Sequence, residues 1–335
     1  NRADRIIDRC RQIAACTEVS GETTRIFLSP PMRTVNALRR GWMEAVGMTV
    51  RVDAAGNLRG LWPGDSPRSP RLIIGSHLDT VPNAGAFDGV LGVVLGISLI
   101  EELRGQHLPF ALEVIGFSEE EGVRFNKPFL GSLALIGKLD ATTLSLTDRN
   151  GVSVADAIRI FGLNPADLPS AILPDETFAY IEFHIEQGPL LESENSSLGI
   201  VETLVGQTRM NLIFDGQPNH AGTTPMPIRK DAGVAMMRLY NDVMETFPNI
   251  AGPRSVWTVG KMSVEPGAPA IIPGKAEMIL QFRDADKAVL DRFEAALVDI
   301  VAVHGKRGPC TVECVNLSRT MPTLMDDRFL DAIED

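Results

Sequence analysis

This chain of 335 residues has only four cysteines, no long apolar run and no excess of basic residues. The four cysteines, Cys10, Cys16, Cys310 and Cys314, form neither a CxxC pair nor the spacing of a zinc knuckle. We therefore expect buried, reduced thiols of the kind found in cytoplasmic proteins. The longest weakly polar run, residues 89–100, is too short to cross a bilayer, which needs about 20 residues.

The charge balance also excludes some partners. Acidic residues number 43 against 32 basic ones, which gives a formal net charge of −11. Such a balance argues against nucleic acid or an anionic membrane surface as the main partner. The chain does not open with a basic segment followed by an apolar core, so we expect no secretory signal and a cytoplasmic location.

The composition that is present is typical of a globular protein, with 44% hydrophobic and 22% charged residues. Short apolar strands alternate with helical stretches in the first part of the chain. This alternation indicates an α/β fold with a mostly parallel sheet. The predicted strands lie at residues 71–76, 111–117 and 179–184.

The length predicts about two domains. After about residue 195 the pattern changes to the order β-α-β-β-α-β, which is typical of a ferredoxin-like domain. We assign residues 1–195 to a catalytic domain and residues 196–316 to an inserted domain. Residues 317–335 are expected to return to the first domain.

Side chains that bind metal ions follow the apolar strands of the first domain. In open α/β sheets, ligands bind outside the carboxyl ends of the strands, so we expect these side chains to converge. Imidazole and carboxylate groups together suit Zn²⁺ or Mn²⁺. The candidate ligands are His77, Asp88, Glu121 and His184, and Asp79 and Glu120 lie beside them in the same segments.

Chemistry suggests a role for several of these residues. Two neighbouring divalent ions need an anionic ligand between them, and the carboxylate of Asp88 can provide one. Asp79 follows His77 by two residues, where it can accept the second ring N–H of that imidazole. Glu120, next to Glu121, can take a proton from water and pass it to a leaving nitrogen.

Each signal alone has an ordinary structural explanation. A histidine at a strand end is commonly structural, the pair Asp88-Gly89 is typical of a turn, and a run of glutamates is commonly solvated. We assign Glu119 to such a solvated run. The joint order of the motifs and their position after strands favour the metal site.

Six segments of the sequence resemble the amidase branch of the M20 metallopeptidases. This branch contains N-carbamoyl-L-amino-acid hydrolase, β-ureidopropionase and allantoate amidohydrolase. The similarity extends from residue 5 to about residue 327. The segments are GSHLDTVPNAGAFDGVLGV, SEEEGVRF, FLGS, EFHIEQG, GQPNHAGTTPM and IIPG…FRD.

The resemblance implies hydrolysis of a linear amide or ureido C–N bond in a small substrate that carries a carboxylate. It implies two divalent metal ions, Zn or Mn, on a catalytic domain. It also implies a lid formed by the inserted domain and a homodimer formed through that lid. The alternatives that we keep open are an M20 dipeptidase or aminoacylase acting on N-acyl amino acids, and a non-catalytic homologue.

The resemblance also assigns metal ligands and a base. His77 and His184 correspond to ligands of one ion, and Asp88 corresponds to the carboxylate that bridges both. Glu121 corresponds to a ligand of the second ion. Glu120 corresponds to the general base.

Three further residues resemble groups that contact the substrate. His220 corresponds to a lid-domain histidine that stabilises the oxyanion, often from the neighbouring subunit; the alternative is a histidine in a turn. Gln187 and Arg283 correspond to substrate contacts, with Arg283 as a bidentate partner for a carboxylate. The alternative for Arg283 is a surface ion pair with Asp284 or Asp286.

Two departures from the family pattern bear on the function. Ala270 stands where the family often has a substrate-binding asparagine, so we expect altered substrate recognition. The family also has a final ligand in a Gly-His-Asp motif, which does not occur before Asp335. We therefore expect the last metal ligand and the end of the catalytic domain to be missing from this chain.

Overall fold

The computed structural model describes residues 1–334 and divides into two compact units, of which the first runs from Asn1 to Pro189 and the second begins at Leu190. The assignment of residues 1–195, 196–316 and 317–335 to catalytic and inserted domains stays a prediction. None of the helices within residues 1–334 has the length and apolar character that a membrane span requires.

The first unit is a mixed α/β domain. Its helices are α1 (Arg2–Ala14), α2 (Pro30–Ala45), α3 (Val90–Glu102), α4 (Leu130–Leu135), α5 (Ala141–Ser145) and α6 (Val154–Ile160), with a 3₁₀ turn at Pro165–Ala171. Its strands are β1 (Thr49–Val52), β2 (Leu58–Trp62), β3 (Arg71–His77), β4 (Ala111–Phe117) and β5 (Thr177–Ile181).

The strands of this unit form a sheet in the order β1-β2-β4-β3-β5. Strand β3 lies parallel to both β4 and β5, whereas β1 pairs with β2, and β2 with β4, in the antiparallel sense. The sheet is therefore mixed, while the sequence predicts a mostly parallel one. The reason is the tight turn of residues 53–57, which joins β1 to β2 as a hairpin and reverses the chain at that edge.

The sheet core explains why the strands read as apolar runs. Every residue of β4 is buried, as are the last five residues of β3. Helix α3 packs closely on these strands because Gly96 has no side chain: an added Cβ would lie 3.0 Å from Ile74 and 3.1 Å from Val114. The carboxyl ends of β3 and β4 are thus held firmly side by side.

The second unit has a four-stranded antiparallel sheet, in which the strands lie in the order Thr311–Thr320, Gly206–Asp215, Lys275–Asp284 and Val256–Glu265, and a short two-stranded pair of Thr203–Leu204 with Thr323–Leu324. Its helices are α7 (Leu190–Ser193), α8 (Ala232–Thr246), α9 (Lys287–Arg307) and α10 (Asp327–Glu334), with 3₁₀ turns at Met226–Ile228 and Phe247–Asn249. Its strands are β6 (Thr203–Leu204), β7 (Gly206–Asp215), β8 (Val256–Glu265), β9 (Lys275–Asp284), β10 (Thr311–Thr320) and β11 (Thr323–Leu324).

From β7 to β10 the elements follow the order β-α-β-β-α-β. Strand β9 alternates buried and more exposed positions, so one face of the sheet lies against helices α8 and α9. An aromatic cluster of Phe247, Phe282 and Phe293 lies in this core, with Phe247 and Phe293 centroids 4.5 Å apart.

A buried ion network crosses the sheet of the first unit. Glu113 on β4 accepts hydrogen bonds from Arg59 at 2.6 and 3.1 Å and from Arg71 at 2.7 Å. Arg59 also donates to the carbonyl of Ala171 at 2.6 Å. Burial would raise the pKa of Glu113, but the two guanidinium groups outweigh it and the pKa is lowered.

We expect the substitution Glu113→Gln to lower the free energy of unfolding by about 3–5 kcal/mol, because the buried Arg59 loses its nearest carboxylate and keeps only Asp53, 3.7 Å away. Since the folded pKa of Glu113 lies below its unfolded value, its contribution is complete above about pH 4.5 and is lost as the pH falls through the folded pKa. Urea denaturation between pH 7 and pH 3 measures both effects. The exposed Glu313→Gln serves as control; equal stability of the two variants would contradict the prediction.

Candidate metal centre

The site of the first unit begins where two parallel strands end together. His77 is the last residue of β3 and is 3% exposed, and its register partner Phe117 is the last residue of β4. The amide of Leu78 donates to the carbonyl of Phe117 at 2.9 Å, which continues the pairing one step further. The segments that follow the two strands therefore run beside each other.

Asp79 joins these two segments. Its carboxylate accepts the main-chain N–H of Glu120 at 2.9 Å on one oxygen and that of Glu121 at 3.0 Å on the other. Nδ1 of His77 lies 3.0 Å from the carbonyl oxygen of Asp79 and 3.7 Å from its carboxylate. The nearer partner of the imidazole is therefore the main chain of Asp79, whereas the sequence predicted its carboxylate, which instead holds the two glutamates.

Asp88 lies between two imidazoles. Its Oδ1 atom is 3.6 Å from Nε2 of His77 and 3.2 Å from Nε2 of His184. Its other oxygen accepts a hydrogen bond from the side-chain amide of Gln187 at 2.8 Å. Nδ1 of His184 lies 2.8 Å from the carbonyl of Ile185.

The donor set at Asp88 fits a cation. A carbonyl oxygen faces Nδ1 of both His77 and His184, which places the ring proton there in the neutral imidazoles and leaves Nε2 as an acceptor. Oδ1 of Asp88 is buried and has no hydrogen-bond donor within residues 1–334. Three acceptor atoms thus lie within 4.8 Å of one another, as expected for ligands of a metal ion.

Glycines allow these ligands to approach. Gly89 has φ +66°, and a Cβ there would lie 2.5 Å from the ring of His77. A Cβ at Gly92 would lie 2.2 Å from the carbonyl oxygen of Phe183, so α3 touches the segment that carries His184. Strand β5 ends at Ile181 rather than at residue 184, and His184 therefore belongs to a loop.

A second group combines His77 with Glu120 and Glu121, whose ligand atoms also lie within 4.8 Å of one another. Burial raises the pKa of Glu120 to about 7, while the neighbouring His77 opposes this shift. Burial likewise raises the pKa of Glu121. Carboxyl groups in such surroundings are characteristic of functional sites.

The charge of this pocket also acts on the imidazole. Burial would lower the pKa of His77, but the carboxylates of Asp88 and Asp79 outweigh it and raise the pKa to about 9. The neighbouring His77 in turn lowers the pKa of Asp88. The surrounding carboxylates therefore favour a positive charge at His77.

The sequence predicted that Glu119 belongs to a solvated run, and this prediction is wrong. Glu119 is 1% exposed, and one carboxyl oxygen accepts the N–H of Gly122 at 2.6 Å. Burial, with the nearby Asp79, raises its pKa to about 9. Its position two residues after the fully buried strand β4 is the signal that could have identified it.

Glu182 is a second residue that the sequence did not single out. Its carboxylate accepts hydrogen bonds from Ser76 at 2.8 Å and from the hydroxyl of Tyr180 at 2.5 Å. Ser76 immediately precedes His77, so this contact ties the end of β3 to the segment leading to His184. The alternation of Tyr180, Glu182 and His184 was the available sequence signal.

Gln187 donates to Asp88, as described above, and has φ +56°. The sequence predicted a substrate contact for this residue. Its side-chain amide is already engaged with a candidate metal ligand, so it orients that carboxylate. A substrate contact for Gln187 stays a prediction.

His220 lies in the second unit, in a loop fixed by main-chain bonds. The amide of Gly222 donates to Nδ1 of His220 at 3.1 Å, which leaves the proton of the neutral ring on Nε2. The amide of Ala221 donates to the carbonyl of Ala270 at 2.8 Å, and His220 forms an isolated bridge with Ile271. The position that departs from the family pattern, Ala270, is therefore adjacent to the His220 loop.

Arg283 lies at an exposed position near the end of β9. With its oxygen turned toward Arg283, the Gln281 amide accepts from Nε at 2.9 Å and from Nη2 at 3.0 Å. Asp284 accepts from Ser255 and from the amide of Asp286, and within residues 1–334 neither aspartate forms an ion pair with Arg283. The alternative of a surface ion pair is therefore not realised.

The two imidazoles and the carboxylates that meet at the ends of these parallel strands form a donor set of the kind that metal-dependent hydrolases use. Residues 73–335 match the family described as peptidase family M20/M25/M40. Accordingly, the chain belongs to this family, in the branch that contains amidohydrolases.

The chain is similar to two kinds of named relatives. It is 34% identical to a probable allantoate deiminase of Oryza sativa subsp. japonica, over 93% of this chain and 70% of the relative. It is also 34% identical to an N-carbamoyl-L-amino acid amidohydrolase of Geobacillus stearothermophilus, over 94% of this chain and 77% of the relative. It spans 62% of the length of the allantoate deiminase of Arabidopsis thaliana.

A solved structure supports the same placement. The amidase of the hydantoinase/carbamoylase family from Burkholderia phymatum superposes with a TM-score of 0.87 at 32% identity. The match covers 100% of this chain and 82% of that structure.

We expect Gln187→Ala to weaken Zn²⁺ or Mn²⁺ binding by about 10–100-fold, because it releases the second oxygen of Asp88. Calorimetric metal titration of the wild-type and variant proteins measures the effect. Gln12→Ala, at an exposed position of α1, is the control. Unchanged metal affinity would contradict the orienting role of Gln187.

Proposed function

We propose that this chain is a metal-dependent amidohydrolase that hydrolyses a linear amide or ureido C–N bond in an N-carbamoyl-L-amino acid or an allantoate-like substrate. The observation that carries the proposal is the buried, donor-free oxygen of Asp88 between Nε2 of His77 and Nε2 of His184. The similarity to a probable allantoate deiminase and to an N-carbamoyl-L-amino acid amidohydrolase supports the proposed substrate class.

The metal-binding part of the proposal follows from the donor set. His77, Asp88 and His184 would hold one ion, and Glu121 would serve a second, with Asp88 shared between them. Zn²⁺ and Mn²⁺ suit this mixture of imidazole and carboxylate. A bound divalent ion would acidify water and polarise a carbonyl group.

Glu120 is the proposed general base. Its main-chain N–H is fixed by Asp79, and its carboxylate lies with His77 and Glu121 in one group of candidate ligands. It takes a proton from the attacking water as the new C–O bond forms. It then gives that proton to the nitrogen as the C–N bond breaks.

Three residues are proposed to act on the substrate. His220 donates Nε2–H to the developing oxyanion, since Gly222 occupies its Nδ1. Arg283 binds a substrate carboxylate with its guanidinium fork. Gln187 contributes a substrate contact in addition to its bond to Asp88.

The setting of the enzyme is also a proposal. We propose that residues 196–316 act as a lid and carry the contact of a homodimer, and that the protein is cytoplasmic. Sedimentation velocity of the protein, with and without an added divalent ion, measures the oligomeric state.

A substrate panel tests the proposed reaction. The protein loaded with Zn²⁺ or Mn²⁺ is assayed for ammonia release from N-carbamoyl-L-amino acids and allantoate, and for amino-acid release from dipeptides and N-acetyl amino acids. Ammonia release alone supports the proposal. Activity on the second group favours an M20 peptidase or aminoacylase, and a metal-loaded protein inert on both groups favours a non-catalytic homologue.

We expect Glu120→Gln to reduce kcat by about 10²–10⁴-fold while metal content stays the same, because the amide retains the shape of the side chain but cannot accept the proton. Steady-state kinetics and metal analysis of the same preparation measure both quantities. The exposed Glu22→Gln is the control. An unchanged kcat would remove Glu120 from the role of base.

A further inference from the structure

Arg39 is a fully buried cation without a visible partner. It lies on the buried face of α2 and is 0% exposed. Its Nε, Nη1 and Nη2 atoms are buried, and none has a hydrogen-bond partner within residues 1–334. Buried guanidinium groups are ordinarily paired, since an unpaired buried charge strongly destabilises the folded state.

Arg59 shows what a satisfied buried arginine looks like in the same unit. It is 1% exposed, and Glu113 and the carbonyl of Ala171 accept its hydrogen bonds. No carboxylate among residues 1–334 forms an ion pair or hydrogen bond with Arg39. Unlike Arg59, Arg39 therefore has no negatively charged partner among the described residues.

Arg25 adds a second buried cation nearby. Its side chain is 0% exposed and donates to the carbonyls of Leu78, Ile13 and Cys16 at 3.1–3.2 Å. Its Nη2 atom has no partner within the described residues. The main-chain carbonyls satisfy hydrogen bonds but do not neutralise the charge.

Asn36 lies one helical turn before Arg39 on the same buried face of α2. Neither atom of its amide has a partner in the described part of the chain. The unpaired atoms of Arg25, Arg39 and Asn36 are therefore five donor nitrogens and one acceptor oxygen. Water must itself donate two hydrogens, so the three unpartnered nitrogens of Arg39, which are all donors, favour an anion over water.

The pKa values of Arg39 and of its neighbour Cys10 show which of the two side chains is charged at neutral pH. Burial lowers the pKa of Arg39 to about 9, with Cys10 opposing and Arg25 reinforcing the shift, so Arg39 stays charged at neutral pH. Burial raises the pKa of Cys10 to about 11. The thiol of Cys10 is therefore neutral and does not supply the missing negative charge.

We propose that Arg39, with Arg25 and Asn36, forms a buried binding site for a small monovalent anion of the halide class in the first unit. The anion accepts hydrogen bonds from the unpaired nitrogens and offsets the two neighbouring positive charges. This site uses none of the side chains proposed for catalysis, although Arg25 donates to the main chain of Leu78 next to His77, and it does not rest on the proposed function.

A thermal unfolding experiment tests the site in solution. The unfolding midpoint is measured in sodium chloride and in sodium gluconate at equal ionic strength. We expect chloride to raise the wild-type midpoint by about 5 °C in a saturable manner. Arg39→Met should lose this chloride-specific rise, whereas Arg40→Met, at the half-buried neighbouring position of α2, should retain it. A wild-type midpoint that is equal in the two salts would overturn the proposal.

Diffraction from wild-type crystals grown in sodium bromide provides a test that does not depend on a folded variant. We expect an anomalous bromide peak within hydrogen-bond distance of the Arg39 guanidinium. Water at that position without an anomalous signal, or a guanidinium paired with a protein carboxylate, would contradict the site.

Discussion

Mutual repulsion between electron pairs governs the candidate centre of this protein. Nε2 of His77, Nε2 of His184 and Oδ1 of Asp88 meet in one partly buried space, and each is an acceptor when the imidazoles are neutral. Only a positive charge between them makes the arrangement favourable. A proton on His77 is one solution, as its raised pKa indicates, and a divalent ion is the other.

The sheet makes this arrangement rigid. Parallel pairing of β3 with β4 brings His77 and Phe117 to the same level, so the segments beyond them share one edge. The carboxylate of Asp79 then fixes the main chain of Glu120 and Glu121 by two hydrogen bonds. A proton or metal at His77 therefore acts on the glutamates through short contacts, and metal binding is expected to release a proton.

The strand-end motifs predicted which candidate ligands meet, because strand ends and residue types are both readable in sequence. They could not predict whether the carbonyl or the carboxylate oxygen of Asp79 faces His77, because the sequence does not specify the orientation of the main chain at that residue. The burial of Glu119 and the bond from Gln187 to Asp88 depend on packing between distant segments. Residues 49–52 and 58–61 read as a pair of strands joined by a turn, and the structure has this pair. The antiparallel pairing of β2 with β4 could not be predicted, because it joins segments that are distant in the chain.

Metal-edge anomalous diffraction from crystals of the protein with Zn²⁺ or Mn²⁺ tests the central claim most directly. The account predicts an ion about 2.0–2.2 Å from Nε2 of His77, Nε2 of His184 and Oδ1 of Asp88. A structure at saturating metal in which these atoms still contact one another, with no ion between them, would contradict it.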